Sequence, residues 1–211
     1  MTAARVQMVT TNVDFTDGPR GSLANFLDSF PGAGLAFLQE AKKLDLRHEL
    51  SGLVGVHQAG DTARAGSALV WDRTQLQALG RSWHLGANPV PGWMLARWLT
   101  WADLEHRATS FRFRGIAAHA PPRYLGKAPQ AEFKANMARF IALSPLPVVV
   151  GLDTNQKNPA RWAGDLGLGW AGKGVDGFAY SHTLDVGDVR RLKPTGSDHR
   201  AVAATLTLGK P

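Results

Sequence analysis

The sequence contains no cysteine. This absence excludes disulfide bonds, thiolate metal sites and cysteine nucleophiles, and it is consistent with a reducing cytoplasm. The N-terminal stretch through Phe15 has no apolar run of signal-peptide length, and no segment of the chain is apolar over the length needed to span a bilayer. We therefore expect a cytoplasmic, monomeric protein without a membrane partner.

The chain also lacks linker-like stretches, low-complexity segments and internal repeats. With 211 residues, 44% of them hydrophobic, it is long enough to bury a sizeable core. We expect residues 1–211 to form a single domain.

Acidic residues are fewer than basic ones, with 17 Asp and Glu against 24 Lys and Arg, and the net charge is +7. Clustered Lys and Arg side chains attract phosphates, so this balance favours a polyanionic partner such as nucleic acid. A basic, Arg-rich proteome in which the surplus only aids solubility is the alternative, and charge alone favours neither. Seven tryptophans exceed the usual number, and some of them could stack on bases.

Apolar patterning predicts more strands than helices. We predict helices at 21–30 and 128–143, a hairpin turn at 105–107, and a loop rich in Gly and Trp between Asn155 and Gly174. The predicted strands are 5–12, 35–38, 53–57, 67–71, 75–83, 96–104, 109–118, 147–152, 174–181, 186–192 and 201–208. Hairpins mixed with strand-helix-strand units favour an α+β fold with two sheets packed face to face and helices outside.

Polar side chains occur where these apolar runs end. A single such residue is usually a turn residue or a solvated carboxylate. The pattern recurs along the whole chain, however, and strand ends can converge on one rim where ligand clefts form. The residues concerned are Asn12, Asp14, Glu40, His119, Asp153, Asn155, Asp176, Asp198 and His199.

Oxygen ligands with imidazoles and no sulfur suit a hard cation such as Mg²⁺ or Mn²⁺. Such an ion can polarise a phosphoryl oxygen while a carboxylate or an imidazole orients the attacking water. A structural zinc site is disfavoured because the sequence has no paired histidines at short ligand spacing. These residues therefore predict metal-dependent phosphodiester hydrolysis.

Six short motifs occur along the chain in a specific order. Through them the chain resembles, from residue 12 to residue 202, the endonuclease/exonuclease/phosphatase superfamily, which is typified by deoxyribonuclease I. The motifs are Asn12-Val13-Asp14, Leu38-Gln39-Glu40, Ala118-His119-Ala120-Pro121, Asp153-Thr154-Asn155, Val175-Asp176-Gly177-Phe178 and Ser197-Asp198-His199. The resemblance implies a four-layer α/β/β/α sandwich with two central, mostly antiparallel sheets and a site at one rim.

The resemblance also implies roles for the metal-binding residues. Glu40 would be the main Mg²⁺ or Mn²⁺ ligand, with Asn12 and Asp14 contributing from the first strand. Asp198 would support a second metal position or the hydrogen-bond network.

The resemblance further implies the catalytic residues. Asp153 and Asn155 would hold the attacking water and the scissile phosphate, and Asp176 would orient His199. His119 would contact the phosphate or protonate the leaving oxygen. Either Asp153 or His199 would be the general base.

The chain departs from the superfamily pattern at two points. One residue is inserted between Gly151 and Asp153, which predicts a local change in the backbone. The acid that supports the first catalytic histidine in deoxyribonuclease I-like members is missing, because the matching stretch 65–67 has no carboxylate. The sequence therefore does not identify the residue that supports His119.

His119 disfavours the abasic-site endonucleases that resemble this chain, since they have a tyrosine there, whereas deoxyribonuclease-like and phospholipid- or inositol-phosphate-cleaving members have a histidine. With the basic charge, it favours a nuclease acting on DNA, whose substrate-binding residues would include Arg97, Arg123, Lys127 and Trp170. A phosphatase or phosphodiesterase for small or lipid phosphates, of the inositol phosphate or sphingomyelin type, is the alternative, because fold does not fix substrate. The retained candidate ligands disfavour a catalytically silent DNA-binding module.

Overall fold

The computed structural model describes residues 4–13, 33–41, 46, 54–58, 66–192 and 199–209. Two helices are described, α1 (Lys127–Ala142) and α2 (Pro159–Gly164). The strands in the described ranges are β1 (Ala4–Asn12), β2 (Leu35–Gln39), β3 (Val54–His57), β4 (Ser67–Asp72), β5 (Leu76–Ala87), β6 (Arg97–His106), β7 (Phe111–His119), β8 (Val148–Asp153), β9 (Gly169–Lys173), β10 (Asp176–Tyr180), β11 (Asp185–Arg191) and β12 (Val202–Leu208).

The strands form two six-stranded sheets. Sheet A has the order β11-β12-β1-β2-β4-β3, and sheet B has the order β5-β6-β7-β8-β10-β9. One neighbouring pair in each sheet is parallel, β1 with β2 and β7 with β8, and the other paired strands are antiparallel. The predicted pair of mostly antiparallel sheets is confirmed.

The main core lies between the two sheets. Phe37 of sheet A meets Phe178 of sheet B edge to face, with ring centroids 5.9 Å apart. Gly151 lies opposite Phe37, and a Cβ built on this glycine would be 2.2 Å from Phe37 Cγ. The sheets therefore come into close contact at a position where sheet B has no side chain to separate them.

A second apolar layer covers the outer face of sheet B. Phe133, Met137 and Phe140 recur at helical spacing along α1 and pack with Val150 and Leu152 of β8. On the outer face of sheet A, a third buried cluster includes Val9, Leu38, Leu46 and Val70.

The helix predicted at 21–30 lies outside the described residues. Within the described ranges, no helix has the length and apolar character needed to cross a membrane.

The hairpin turn between β6 and β7 lies further along the chain than predicted. β6 continues through His106, and the turn occupies 107–110. The carbonyl of His106 accepts from the N–H groups of Thr109 and Ser110. The ring Nδ1 of His106 lies 3.0 Å from Thr109 Oγ1. These bonds close the turn, and pairing with Leu76 and Phe111 places His106 in the strand.

The predicted loop before β10 is wrong, because it contains α2 and β9. Asn158 caps α2 by accepting from the N–H of Arg161, and Pro159 follows it at the start of the helix. β9 is rich in glycine and has no hydrophobic alternation, so local sequence does not mark it as a strand. It forms by pairing with β10.

We expect Gly151→Ala to lower the free energy of unfolding by about 1 to 3 kcal/mol, because the added methyl group must displace the ring of Phe37. Gly164→Ala is the matched control, since a Cβ at this exposed helical position meets no atom within 4 Å. Urea unfolding of both variants measures the difference. Equal stability of the two variants would contradict the close approach of the sheets.

Candidate active site

Sheet B brings three of the predicted site residues together. His119 ends β7 opposite Asp153, which ends the parallel strand β8. Asp176 begins the antiparallel strand β10, also opposite Asp153. Because all three lie at the same edge of the sheet, their side chains share one rim. Pairing through Gly151 and Asp153 has no register shift, so the predicted backbone change is not seen in the strand.

Sheet A supplies Asn12 and Glu40 to the same rim. Asn12 ends β1 opposite Gln39, and Glu40 follows directly. The buried amide of Gln39 donates to the Gly151 carbonyl of sheet B at 3.2 Å and to Thr10 Oγ1 at 3.1 Å. Glu40 leaves the strand with a φ of 58°, a left-handed conformation that is uncommon for glutamate. The Gln39 amide therefore fixes the position of Glu40 relative to sheet B.

Asp153 lies at the centre of the rim and is almost fully buried. Its Oδ1 accepts from the N–H of Asn155 at 2.8 Å, and the side chain of Asn12 also bonds it. Burial and the nearby charge of Asp176 raise the pKa of Asp153 to about 6, although Asn155, His199 and Asn12 partly oppose this rise. The charged form of this carboxyl therefore lowers the stability of the folded protein.

His199 is oriented by Asp176. Its Nδ1 lies 3.1 and 3.0 Å from the two carboxylate oxygens of Asp176 and 3.7 Å from Asp153 Oδ2. Because carboxylate oxygens accept hydrogen bonds, Nδ1 carries a proton. The imidazole is 24% exposed at the rim.

An arginine from β6 lies beside His119. Nη1 of Arg97 lies 3.2 Å from Nδ1 of His119. An arginine can only donate, so Nδ1 accepts and the proton of the neutral ring is on Nε2, which faces Asp153 Oδ2 at 3.5 Å. Glu40 Oε1 lies 3.6 Å from the same Nδ1. The side chain is only 5% exposed, so His119 is nearly enclosed by these groups.

Arg97 begins β6 and supplies positive charge to the rim. Burial lowers its pKa, whereas the charges of Glu40, Asp153 and Tyr124 act to raise it. Its Nε is buried and has no hydrogen-bond partner among the described residues. A buried donor of this kind is costly unless a ligand atom satisfies it.

Asn155 joins the loops that follow β7 and β8. It has a φ of 49°, a conformation that asparagine tolerates well, and its Nδ2 donates to the carbonyl of Ala120 at 3.0 Å. The predicted metal ligands Asp14 and Asp198 lie outside the described residues.

The carboxylates at the rim fit a divalent cation. In the described part of the chain, Asp153, Asp176 and His199 can place ligand atoms within 4.8 Å of one another. Glu40 is not part of this group; its Oε1 lies 3.6 Å from Nδ1 of His119, whose Nε2 lies 3.5 Å from Asp153 Oδ2. Burial first, and then the nearby charge of Asp176, raises the pKa of Asp153, so a bound cation would favour its charged form. Hard oxygen donors and excess negative charge are what Mg²⁺ and Mn²⁺ require.

Two of the predicted cationic residues line a cleft beside the rim, whereas the third, Arg97, lies at the rim itself. Arg123 and Lys127 share a cleft of about 990 Å³ with Lys157 and Arg161. Lys134 in the same cleft is paired with Asp165 at 2.5 Å. Sequence reasoning did not find Lys157 or Arg161.

Trp170 lies on β9 and not in a loop as predicted. Its ring covers Gly172 and Gly177, where an added Cβ would lie 2.4 and 2.8 Å from the indole. Trp162 is buried in α2. Two exposed aromatic residues that the sequence reasoning did not select, Trp93 and Tyr124, lie instead beside Glu40 and Arg97.

No protein-family model matches this sequence, and no curated protein is detectably similar to it. Solved structures do match. An endonuclease/exonuclease/phosphatase of Bacteroides vulgatus has a TM-score of 0.78 at 18% identity, over 98% of this chain and 100% of that one. The mannosyl-6-phosphatase Bt3783 of Bacteroides thetaiotaomicron has a TM-score of 0.70 at 16% identity, over 96% and 99%. TDP2 of D. rerio, solved with a single-strand DNA product, has a TM-score of 0.76 at 12% identity, over 97% and 99%.

The chain therefore has the fold of the endonuclease/exonuclease/phosphatase proteins. This confirms the fold that the six motifs predict.

We expect Asp153→Asn to raise the free energy of unfolding at pH 7.5 in EDTA by on the order of 1 to 3 kcal/mol. The folded pKa, about 6, is above the ordinary value of 3.8, so this residue's contribution to stability falls as pH rises from 4 to 6. The gain from the substitution should therefore disappear near pH 3, where wild-type Asp153 is neutral in the folded protein and largely protonated in the unfolded chain.

Urea unfolding at both pH values measures this effect, with Asp185→Asn as an exposed control. A gain in the free energy of unfolding that is the same at both pH values would show that the charged form of Asp153 does not destabilise the folded protein.

Proposed function

We propose that this protein is a divalent-metal-dependent phosphodiester hydrolase and, more specifically, a nuclease acting on DNA. The observation that carries the proposal is the rim where Asp153, Asp176 and His199 converge within 4.8 Å beside Arg97 and Glu40. This arrangement combines a proton acceptor, carboxylates for a hard cation and a buried cation for a phosphate.

Glu40 and Asn12 would hold Mg²⁺ or Mn²⁺ at the rim. When bound, the ion polarises a phosphoryl oxygen and offsets the charge that develops on it. Arg97 binds the phosphate, because its buried Nε lacks a partner among the described residues and a phosphoryl oxygen would satisfy it.

His199 acts as the general base. Since Nδ1 donates to Asp176, Nε2 is the nitrogen that accepts a proton from water. The water oxygen forms a bond to phosphorus as the bond to the leaving oxygen breaks. The leaving oxygen takes up a proton from solvent, and His199 later returns its proton to solvent. His119 is nearly enclosed between Arg97 and Asp153, and it fixes the positions of these two side chains relative to each other.

The basic cleft supports a polyanionic substrate. Arg123 and Lys157 line both this cleft and a hollow of about 490 Å³ that reaches Asn155 at the rim. A nucleic-acid backbone bound at the rim could therefore extend along the cations, and non-specific binding of this type depends on such contacts. The fold also occurs in a mannosyl-6-phosphatase, so a small organic phosphate is the second candidate substrate.

We expect His199→Ala to lower kcat for cleavage of a DNA oligonucleotide by on the order of 10²- to 10⁴-fold, because it removes the proton acceptor. His182→Ala, in an exposed turn, is the control. Gel assays on DNA, with an inositol phosphate and sphingomyelin as alternative substrates, measure the change. Equal activity of the two variants would refute the assignment of His199, and cleavage of only the small or lipid phosphate would refute a nuclease.

We expect EDTA to abolish cleavage, Mg²⁺ or Mn²⁺ to restore it, and Glu40→Gln to raise the metal concentration needed for half-maximal activity. Glu105→Gln is the matched control, because Glu105 lies at the far end of β6 from Arg97. Its exposed ion pair with Arg112 should matter little. Titration of activity with Mg²⁺ measures the shift, and an unchanged Mg²⁺ requirement in Glu40→Gln would exclude Glu40 as a ligand.

We expect the double variant Lys127→Ala, Arg161→Ala to weaken DNA binding and to reduce the slope of log K against log salt by about 1 to 2. Arg5→Ala with Arg73→Ala is the charge-matched control, since both residues are exposed and lie at the ends of β1 and β4 away from the rim. Fluorescence anisotropy in EDTA at several salt concentrations measures the slopes. Equal slopes in the two double variants would exclude this cleft as the DNA path.

A further inference from the structure

The hollow beside the rim has two exposed aromatic side chains on its walls. Trp93 is 73% exposed and Tyr124 is 75% exposed. Both line a hollow of about 450 Å³ whose lining also includes Glu40 and Arg97. A pocket of this volume is in the range that holds a small organic ligand.

Trp93 is held at the tip of a defined turn. The N–H groups of Trp93 and Met94 both donate to the carbonyl of Val90 at 2.9 Å, and Val90 N–H donates to Met94 O at the same distance. Gly92 has a φ of 76°, which lets the turn close directly before the tryptophan. The exposed indole is therefore presented by a hydrogen-bonded turn.

Tyr124 forms the facing wall and is tied to the rim through the chain. It lies in a single 3-10 turn, Arg123–Leu125, that follows His119 by a short proline-containing segment. Leu125 N–H donates to Pro122 O at 3.2 Å, which closes the turn. Tyr124 is also close enough to Arg97 to influence its pKa. The phenol ring thus adjoins the group that would bind the phosphate.

The lining of the hollow selects for a flat, apolar body joined to a phosphate. Away from Glu40 and Arg97, the walls are formed by Trp93, Tyr124 and apolar residues such as Pro91, Leu95 and Pro122. A sugar or inositol ring would require several hydrogen-bonding side chains, and the described lining offers few. Aromatic side chains stack on nucleobases of any sequence, whereas paired bases in a duplex are already stacked.

On the other side of Tyr124, the second hollow is lined by Arg123, Asn155 and Lys157. Tyr124 therefore separates an aromatic hollow from a cationic one, with the rim adjoining both. This alternation matches a single strand, in which a base occupies the first hollow and the next phosphate the second.

We propose that the hollow between Trp93 and Tyr124 is a subsite for one unpaired nucleobase next to the scissile phosphate, so that the preferred substrate is single-stranded DNA or a frayed end. This inference rests on the proposed function, because it assumes that the rim cleaves a nucleic-acid phosphodiester.

The test compares a single-stranded oligonucleotide with one that carries abasic residues around the scissile phosphate, and with a blunt duplex. Wild-type protein should cleave the base-containing single strand with the highest kcat/KM. Trp93→Ala and Tyr124→Ala should each lower the ratio of kcat/KM between base-containing and abasic strands by about 5- to 100-fold, bringing it towards one. Trp93→Phe and Tyr124→Phe keep a ring and should retain most of the preference.

Leu143→Ala, which removes an exposed apolar side chain after α1, is the control and should leave the ratio unchanged. Absence of any metal-dependent DNA cleavage by the wild type would overturn the proposed function and this inference together. Cleavage with an unchanged ratio in Trp93→Ala and Tyr124→Ala, or a duplex preference, would overturn the nucleobase subsite alone. Faster cleavage of sphingomyelin than of DNA, lost in both alanine variants, would assign the hollow to a lipid phosphate instead.

Discussion

The close contact between the two sheets at Gly151 positions the whole candidate site. Phe37 lies against this glycine, and the Gln39 amide donates to its carbonyl. Glu40 follows Gln39, and Asp153 lies two residues after Gly151, so the same contact sets the spacing of two carboxylates from different sheets. A side chain at 151 would push the sheets apart and move both groups.

The rim concentrates charge that the fold alone does not need. Asp153 is buried beside Asp176, and this raises its pKa to about 6, while Arg97 is held in a partly desolvated position against His119. Each of these groups costs stability in its charged form. Groups of this kind, at a cleft, are typical of sites where charge is used for binding or catalysis. A cation and a phosphate bound together would offset both signs of charge.

The surfaces on either side of Tyr124 complement the rim. One carries exposed aromatic residues and the other carries cations, and neither property is required by the core. Exposed tryptophan at the tip of an ordered turn would otherwise be unfavourable, because its apolar surface stays in water. Together these surfaces favour a substrate that presents a flat apolar group and more than one phosphate.

The sequence by itself determined the order of the strands and the placement of polar residues at their ends, because apolar runs and their interruptions are local properties. It therefore predicted the two sheets, α1 and the convergence of Asp153, Asp176 and His199. Only the tertiary structure showed that Arg97 supports His119, since their contact depends on strand registers across the sheet and not on spacing along the chain. Only the tertiary structure also showed that the glycine-rich segment after α2 is a strand. Pairing with β10 stabilises this strand, whereas its local sequence has no strand propensity.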